Sequence, residues 1–290
     1  MSDLRYESPE TIEAAVALLA SEGQMAKVFA GGTDLLVQMK EELIDEPALL
    51  VDIKKIAEVR QVKIEPHLVR IGSAVTGAEL GENEPLKAIW PGVVEAMELI
   101  GSAQVQGRAT IGGNLCNASP AADSVPALIA ADATVIIAGP DGTREIPVTA
   151  FPTGPGGNVL ASGEFVVTVN LPSRPPRAGD AYLRFIPRTE MDIAVVGTGV
   201  SLALNDDGTC AAARLALGAV GPTAVLVEAA AGIMVGNKLD DGVLDALANA
   251  ASAACAPIDD KRGTIEFRTK VAGVLACRAA SIAWQRAENN

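Results

Sequence analysis

Aromatic residues are nearly missing from this chain: they make up 3% of its 290 residues, although hydrophobic residues overall reach 49%. That length accommodates two domains of ordinary size. Their cores must therefore be built from Ala, Val, Leu and Ile. Histidine occurs once, as His67. One imidazole excludes a His-rich metal site and leaves a Ser-His-Asp triad without support. Beside Pro66 it reads as a surface residue. The four cysteines, Cys116, Cys210, Cys255 and Cys277, stand far apart. Their spacing excludes a local CxxC zinc or iron–sulfur site, and reduced, buried thiols are expected. Any redox chemistry here needs an organic cofactor or a partner chain.

Positive charge is also scarce. Lys and Arg total 23 against 36 Asp and Glu, for a net charge of −13, and no basic stripe occurs. Nucleic-acid binding rests on clustered cations that neutralise phosphates, so that class is excluded. Acidic substrates would not be steered to such a surface, which fits a cytoplasmic protein. Long apolar runs are absent: the stretches around 125–138 and 193–204 are too short or too interrupted to span a bilayer. Residues 1–6 show no basic region followed by an apolar run, so no secretory leader is expected. There is no GxxxxGK[ST] phosphate loop and no GxSxG elbow. Gly197-Thr198-Gly199 lacks a third glycine at Leu202 and lies in a predicted strand. Close packing explains it better than a dinucleotide fingerprint does.

Two glycine-bearing segments stand out against this background. The first is Val28-Phe29-Ala30-Gly31-Gly32-Thr33-Asp34-Leu35-Leu36. The second is Thr110-Ile111-Gly112-Gly113-Asn114, followed by Ser119-Pro120-Ala121-Ala122-Asp123. Each has an apolar approach, a Gly-Gly pair and a polar residue. Glycine reaches φ > 0 and lets a ligand approach the backbone closely. Successive N–H groups in such turns can face one concavity and hold an anion. Either segment alone is an ordinary tight turn. Brought together as two nests, they suit a diphosphate.

Ser8-Pro9 predicts a helix start. Ile12, Val16 and Leu19 recur at helical spacing as far as Glu22, and Gly23 ends the helix. Strands are predicted at 27–30, 48–53, 68–75, 133–138, 144–148 and 164–171, and helices at 91–100 and 124–131. Gly154-Pro155-Gly156-Gly157 reads as a flexible surface loop. The prolines of 172–176 cannot donate to a sheet ladder and mark a linker. Beyond it lie three antiparallel strands, 181–187, 193–204 and 212–220, and helices at 223–231, 240–254 and 265–286. The boundary therefore falls near residue 176. It separates a domain of 1–176, in subdomains of about 1–55 and 56–176, from a domain of 177–290.

Taken together, these segments resemble the FAD-binding medium subunit of molybdenum-containing hydroxylases, the family of xanthine dehydrogenase and aerobic carbon monoxide dehydrogenase flavoprotein subunits. AGGTDLL, TIGGN, SPAAD, the strand at 164–172, Arg188-Thr189-Glu190-Met191-Asp192-Ile193-Ala194 and Asp259-Asp260-Lys261-Arg262-Gly263 occur in family order. The resemblance implies an α+β fold. Its first part is a two-subdomain FAD domain of the vanillyl-alcohol oxidase type. Its second part has three antiparallel strands plus a helical bundle. Carried over by position, Ala30, Gly31, Gly32, Thr33, Asp34 and Leu35 would line the FAD diphosphate. Thr110, Ile111, Gly112, Gly113 and Asn114 would close over it. Asp123 would accept hydrogen bonds from cofactor hydroxyls, and Ile100 and Val166 would make apolar contacts. Arg184 would stand near the isoalloxazine ring as a cation, with Tyr182 by the ring face.

The resemblance further implies an oxidoreductase subunit with no catalytic or metal-ligating residue of its own. A large partner with a molybdopterin-type molybdenum cofactor and a small partner with two [2Fe–2S] clusters would complete a dimer of heterotrimers. NAD, a quinone or oxygen would accept the electrons. Position 33 is Thr where carbon monoxide dehydrogenases carry His, and position 114 is Asn where they carry Asp, which points away from carbon monoxide as substrate. A self-contained flavin enzyme of the same fold, such as an enolpyruvyl-sugar reductase, would need its own proton donor, and none stands out. A flavin-free scaffold would not need both glycine pairs.

Overall fold

The computed structural model describes residues 4–290; residues 1–3, part of the segment in which no leader is expected, lie outside it. The chain opens with β1 (Arg5–Glu7), α1 (Ile12–Glu22), β2 (Ala26–Phe29), α2 (Leu35–Lys40) and β3 (Leu49–Asp52). The three strands form a parallel sheet in the order β1-β3-β2. Helix α1 starts later than Ser8-Pro9 predicts. Thr11 has extended backbone, and its hydroxyl accepts from the N–H of Ala14 at 3.2 Å, satisfying a donor of the first turn.

The second layer contains β4 (Val62–Glu65), β5 (Leu68–Gly72), β6 (Thr134–Gly139), β7 (Gly142–Pro147), the short hairpin β8 (Pro152–Gly154) and β9 (Gly157–Asn158), and β10 (Phe165–Pro172). Its main sheet is antiparallel, in the order β4-β5-β10-β6-β7. Between β5 and β6 run α3 (Gly77–Gly81), α4 (Glu84–Ile89), α5 (Pro91–Glu98), α6 (Ala103–Gln106), α7 (Ile111–Cys116) and α8 (Ser124–Ala130). Strand β10 is buried on both faces. Phe165 and Val167 join Leu49, Val51 and Ile53 in one core, while Val166, Val169 and Leu171 join Val135, Ile137 and Phe151 in another. That is why its sequence alternates only weakly. The Gly154–Gly157 run is not a free loop. It turns the β8–β9 hairpin, and Gly156 donates to the carbonyl of Ala118 at 3.0 Å.

The remaining chain forms β11 (Ala178–Phe185), β12 (Val196–Leu204), β13 (Cys210–Gly218), β14 (Val225–Leu226), α9 (Ala229–Met234), α10 (Asp241–Ala253) and α11 (Ile265–Asn289). The sheet has a fourth strand where a helix is predicted. Val225 and Leu226 pair with Leu217 and Ala216, so the open edge of β13 satisfies their backbone before α9 begins. Helix α11 lies on β11 and β12 through an alanine-lined face that includes Ala272, Ala276, Ala279, Ala280 and Ala283. Packing is close enough that a Cβ on Gly179 would sit 1.9 Å from the carbonyl oxygen of Ala283.

The two parts are locked together. Arg174, in the proline-rich connection, lies over the Trp90 ring at 4.6 Å and pairs with Asp180 at 2.7 Å. Asp180 also accepts from the N–H of Gly92 at 2.8 Å. Helix α8 seats in a notch of the C-terminal sheet: a Cβ on Gly199 would meet Pro126 O at 2.6 Å, and one on Gly197 would meet the Tyr182 hydroxyl at 2.5 Å. The Gly-Thr-Gly run is thus a packing feature.

Candidate functional site

A cleft of about 530 Å³ separates the parallel layer from the antiparallel one. Ala30, Gly31, Gly32, Thr33, Asp34 and Leu35 form one wall, and Thr110, Gly112, Gly113 and Asn114 face them. Ile100 and Val166 add apolar surface, with Ile53, Leu160 and Phe165 beside them.

The two glycine segments differ in kind. In the first, Gly32 has φ +75, a conformation that favours glycine. Among the described residues, the N–H groups of Gly31, Gly32, Thr33, Asp34 and Leu35 have no hydrogen-bond acceptor in the protein. This is an open row of donors, reinforced by the start of α2, and it suits an anion. The second segment is not a nest. It is the first turn of α7, capped by Thr110, whose Oγ1 accepts from Gly113 N at 3.0 Å. Ile111 N donates to Val75 O at 3.2 Å, Gly112 N to Ser73 O at 3.0 Å and Asn114 N to Thr110 O at 2.9 Å. Its amides are used up. Its glycines serve close approach instead: a Cβ on Gly112 would lie 2.5 Å from the Cβ of Ser73.

The first segment is braced from behind. Lys54 Nζ donates to Ala30 O at 2.9 Å, pairs with Asp52 at 2.8 Å and lies 4.2 Å from the centre of the Phe29 ring. The hydroxyl of Tyr6 donates to the other Asp52 oxygen. The charged residues of the lining are Lys27, Asp34 and Glu164. Burial pushes the Asp34 carboxyl above its ordinary range, and Asn117 donates to it at 3.2 Å. Glu164 is held below the ordinary range by two hydrogen bonds from Arg144, at 2.8 and 2.7 Å, and one from Ala161 N at 2.7 Å. Burial pushes the Cys116 thiol at the cleft up to about 12, so it carries no thiolate at neutral pH. Among the described residues, no group of three or more His, Cys, Asp or Glu is placed to hold a metal ion.

Four expected site residues lie elsewhere. Ile111 is fully buried in the core beneath α7, because the inward face of a helix start points away from the cleft. Asp123, Tyr182 and Arg184 gather at the junction of the two domains instead. The Tyr182 hydroxyl donates to one Asp123 oxygen at 2.7 Å and Arg184 Nη1 to the other at 2.8 Å. Both carboxylate oxygens thereby have protein partners, and the Arg184 charge is met by Asp123. Sequence reasoning missed Ser73, Gln38, Asn117, Asn158 and Glu164, which line the cleft. The one legible signal was the Gly-Pro-Gly-Gly run that brings Gly156 and Asn158 to its rim.

An amide-lined wall opposite an apolar pocket is the chemistry a flavin dinucleotide requires, with a diphosphate at one place and a ring system at another. Ser73 Oγ, buried at the cleft without a partner, adds a free donor. Similarity to known proteins points to the same cofactor. Residues 2–174 match the family described as the FAD binding domain in molybdopterin dehydrogenase, and residues 181–283 match the carbon monoxide dehydrogenase flavoprotein C-terminal domain. The carbon monoxide dehydrogenase medium chain of Hydrogenophaga pseudoflava is 34% identical over 281 residues, covering 97% of each chain. The xanthine dehydrogenase FAD-binding subunit of Escherichia coli O157:H7 is 34% identical over 265 residues, covering 91% of this chain and 90% of that one. A crystal structure of the Hydrogenophaga pseudoflava carbon monoxide dehydrogenase, lacking the Mo-pyranopterin moiety of its cofactor, superimposes with a TM-score of 0.93 at 34% identity over 98% of each chain. The chain is an α+β flavoprotein and belongs to the family of FAD-binding medium subunits of the molybdenum hydroxylases, the oxidoreductases that include carbon monoxide and xanthine dehydrogenases.

Proposed function

We propose that this chain takes electrons from a [2Fe–2S] partner subunit and passes them to an external acceptor: NAD, a quinone or oxygen. A large subunit with a molybdopterin-type cofactor oxidises the substrate, and a small subunit with two [2Fe–2S] clusters connects the two. The assembly is a dimer of heterotrimers in the cytoplasm. The observation that carries this reading is the row of five unpartnered amides from Gly31 to Leu35 beside a pocket with apolar walls. Bound FAD supplies one- and two-electron redox chemistry. The chain supplies placement. Ala30–Leu35 hold the diphosphate by backbone donors. Thr110, Gly112, Gly113 and Asn114 close the opposite wall, and Ile100 and Val166 exclude water from the apolar part. Asp123, Tyr182 and Arg184 support that wall from the domain junction. Lys27, Asp34 and Glu164 are the charged groups of the lining, and they form no acid–base pair suited to proton-transfer catalysis.

The test is purification of the native complex. Large and small subunits should co-purify with this chain, with molybdenum and iron found by metal analysis and a flavin absorption band. Acid precipitation should release all the yellow colour, because the cleft lining holds no histidine and its one cysteine, Cys116, is held as the thiol. A chain that purifies alone, with flavin and with turnover of its own, would overturn the subunit role.

A further inference from the structure

We propose that Ser73 is a ligand-binding residue: its hydroxyl donates to a diphosphate oxygen of the dinucleotide in the cleft. This rests on the function proposed above and adds a side-chain contact to a site otherwise described through backbone amides. Ser73 directly follows β5, and its backbone is fully engaged. Its N–H donates to Val167 O at 2.9 Å and its carbonyl accepts from Gly112 N at 3.0 Å. Its side chain has no such partner. Ser73 is 3% exposed, and its Oγ is buried without a hydrogen bond, yet the residue lines the cleft. A buried hydroxyl gives up its water contacts, and leaving it unpaired is unfavourable. Among the described residues, it is the one cleft-lining side chain with an orphaned buried oxygen.

Its position selects the phosphates as the acceptor. The side chain abuts the first turn of α7, where a Cβ on Gly112 would lie 2.5 Å from Ser73 Cβ. Gly31 touches the same region through Arg108, whose carbonyl oxygen would lie 2.1 Å from a Cβ there. Ser73 therefore lines the cleft at the α7 segment, the wall that faces the open amides of Gly31–Leu35. The amides of the α7 turn are consumed within the protein, so side chains must meet the anion on that wall. An O–H donor to an ionised oxygen makes a hydrogen bond roughly twice as strong as a neutral pair.

The experiment titrates the full-length, flavin-stripped chain with FAD, ADP and riboflavin by calorimetry, as wild type, Ser73→Ala and Ser73→Cys. Both variants should bind FAD and ADP about tenfold more weakly, equivalent to about 1.4 kcal/mol, with riboflavin binding unchanged. The flavin-free Ser73→Ala protein should melt at the same or a higher temperature, because an unpaired buried hydroxyl has been removed. Cysteine keeps the shape but is a weak donor. Unchanged FAD affinity in both variants would overturn the proposal, as would a loss for riboflavin but not for ADP. So would a lowered melting temperature with equal losses for all three ligands. Wild-type protein that binds none of the three would overturn the flavin function itself as well.

Discussion

A Cβ on Gly31 would lie 2.1 Å from the carbonyl oxygen of Arg108, so the parallel layer touches the antiparallel one through bare backbone at the head of the cleft. Residues 77 positions apart along the chain become neighbours there because one of them has no side chain. The separation of the cleft walls depends on that contact.

Gly31→Ala should therefore destabilise the fold by about 1–3 kcal/mol, the usual cost of forcing a methyl group into a packed region. Gly232→Ala, in the exposed face of α9 with nothing within 4 Å of the added Cβ, should instead stabilise it by about 0.5–1 kcal/mol through helix propensity. Urea denaturation of the two variants reads both signs.

Gly32→Val should yield flavin-free protein. Position 32 has φ +75 and a Cβ there would meet Phe29 Cε2 at 2.5 Å, so a β-branched residue must rearrange the row of open amides. Flavin stoichiometry of the soluble, folded variant is the measurement. Full occupancy would move the diphosphate site elsewhere.

Arg184→Ala should cost about 3–5 kcal/mol, because it leaves the Asp123 carboxylate buried with its cation removed. Burial pushes that carboxyl up, and Arg184 and Tyr182 draw it back down. Arg184→Met combined with Asp123→Asn should recover most of the loss. The family resemblance implies that Arg184 stands beside the flavin ring, but its charge is met by Asp123. The flavin potential should therefore move by less than about 30 mV, or about 1.4 kcal/mol for a two-electron couple. A larger shift in redox titration of fully flavinated protein would return the guanidinium to the ring.

Glu164→Gln should flatten the acid side of the stability profile. The Arg144 hydrogen bonds hold this carboxyl below its ordinary value of 4.5 in the folded chain. A lowered folded value means that its contribution is complete above about 4.5 and is lost as the pH falls through the folded value. Wild type should thus lose more stability than the variant as the pH falls below about 4.5. Parallel loss in both would separate Glu164 from the acid response. The same carboxylate anchors residues 161–164 of the cleft wall, so flavin affinity should fall with it.

Local signals along the chain carried much of the architecture. Helical spacing of Ile12, Val16 and Leu19 and the prolines of 172–176 lie within a few residues of what they determine. Periodicity and turn chemistry act at that range, and the order of motifs identified the family. The glycine pairs also pointed to the two walls that face each other across the cleft. They did not show that one is an open nest and the other a closed helical turn. That difference comes from carbonyls of Ser73 and Val75, brought up by β5 to take the amides of α7. The resemblance gave Asp123 cofactor hydroxyls as partners, but in the fold its partners come from 59 and 61 residues away. Val225 and Leu226 became a strand because an unpaired sheet edge stood beside them. Sequence pattern determines what each segment is able to form. Which group finally meets a given amide, hydroxyl or carboxylate is decided when distant segments pack, because a buried polar group takes whichever partner the fold brings within reach.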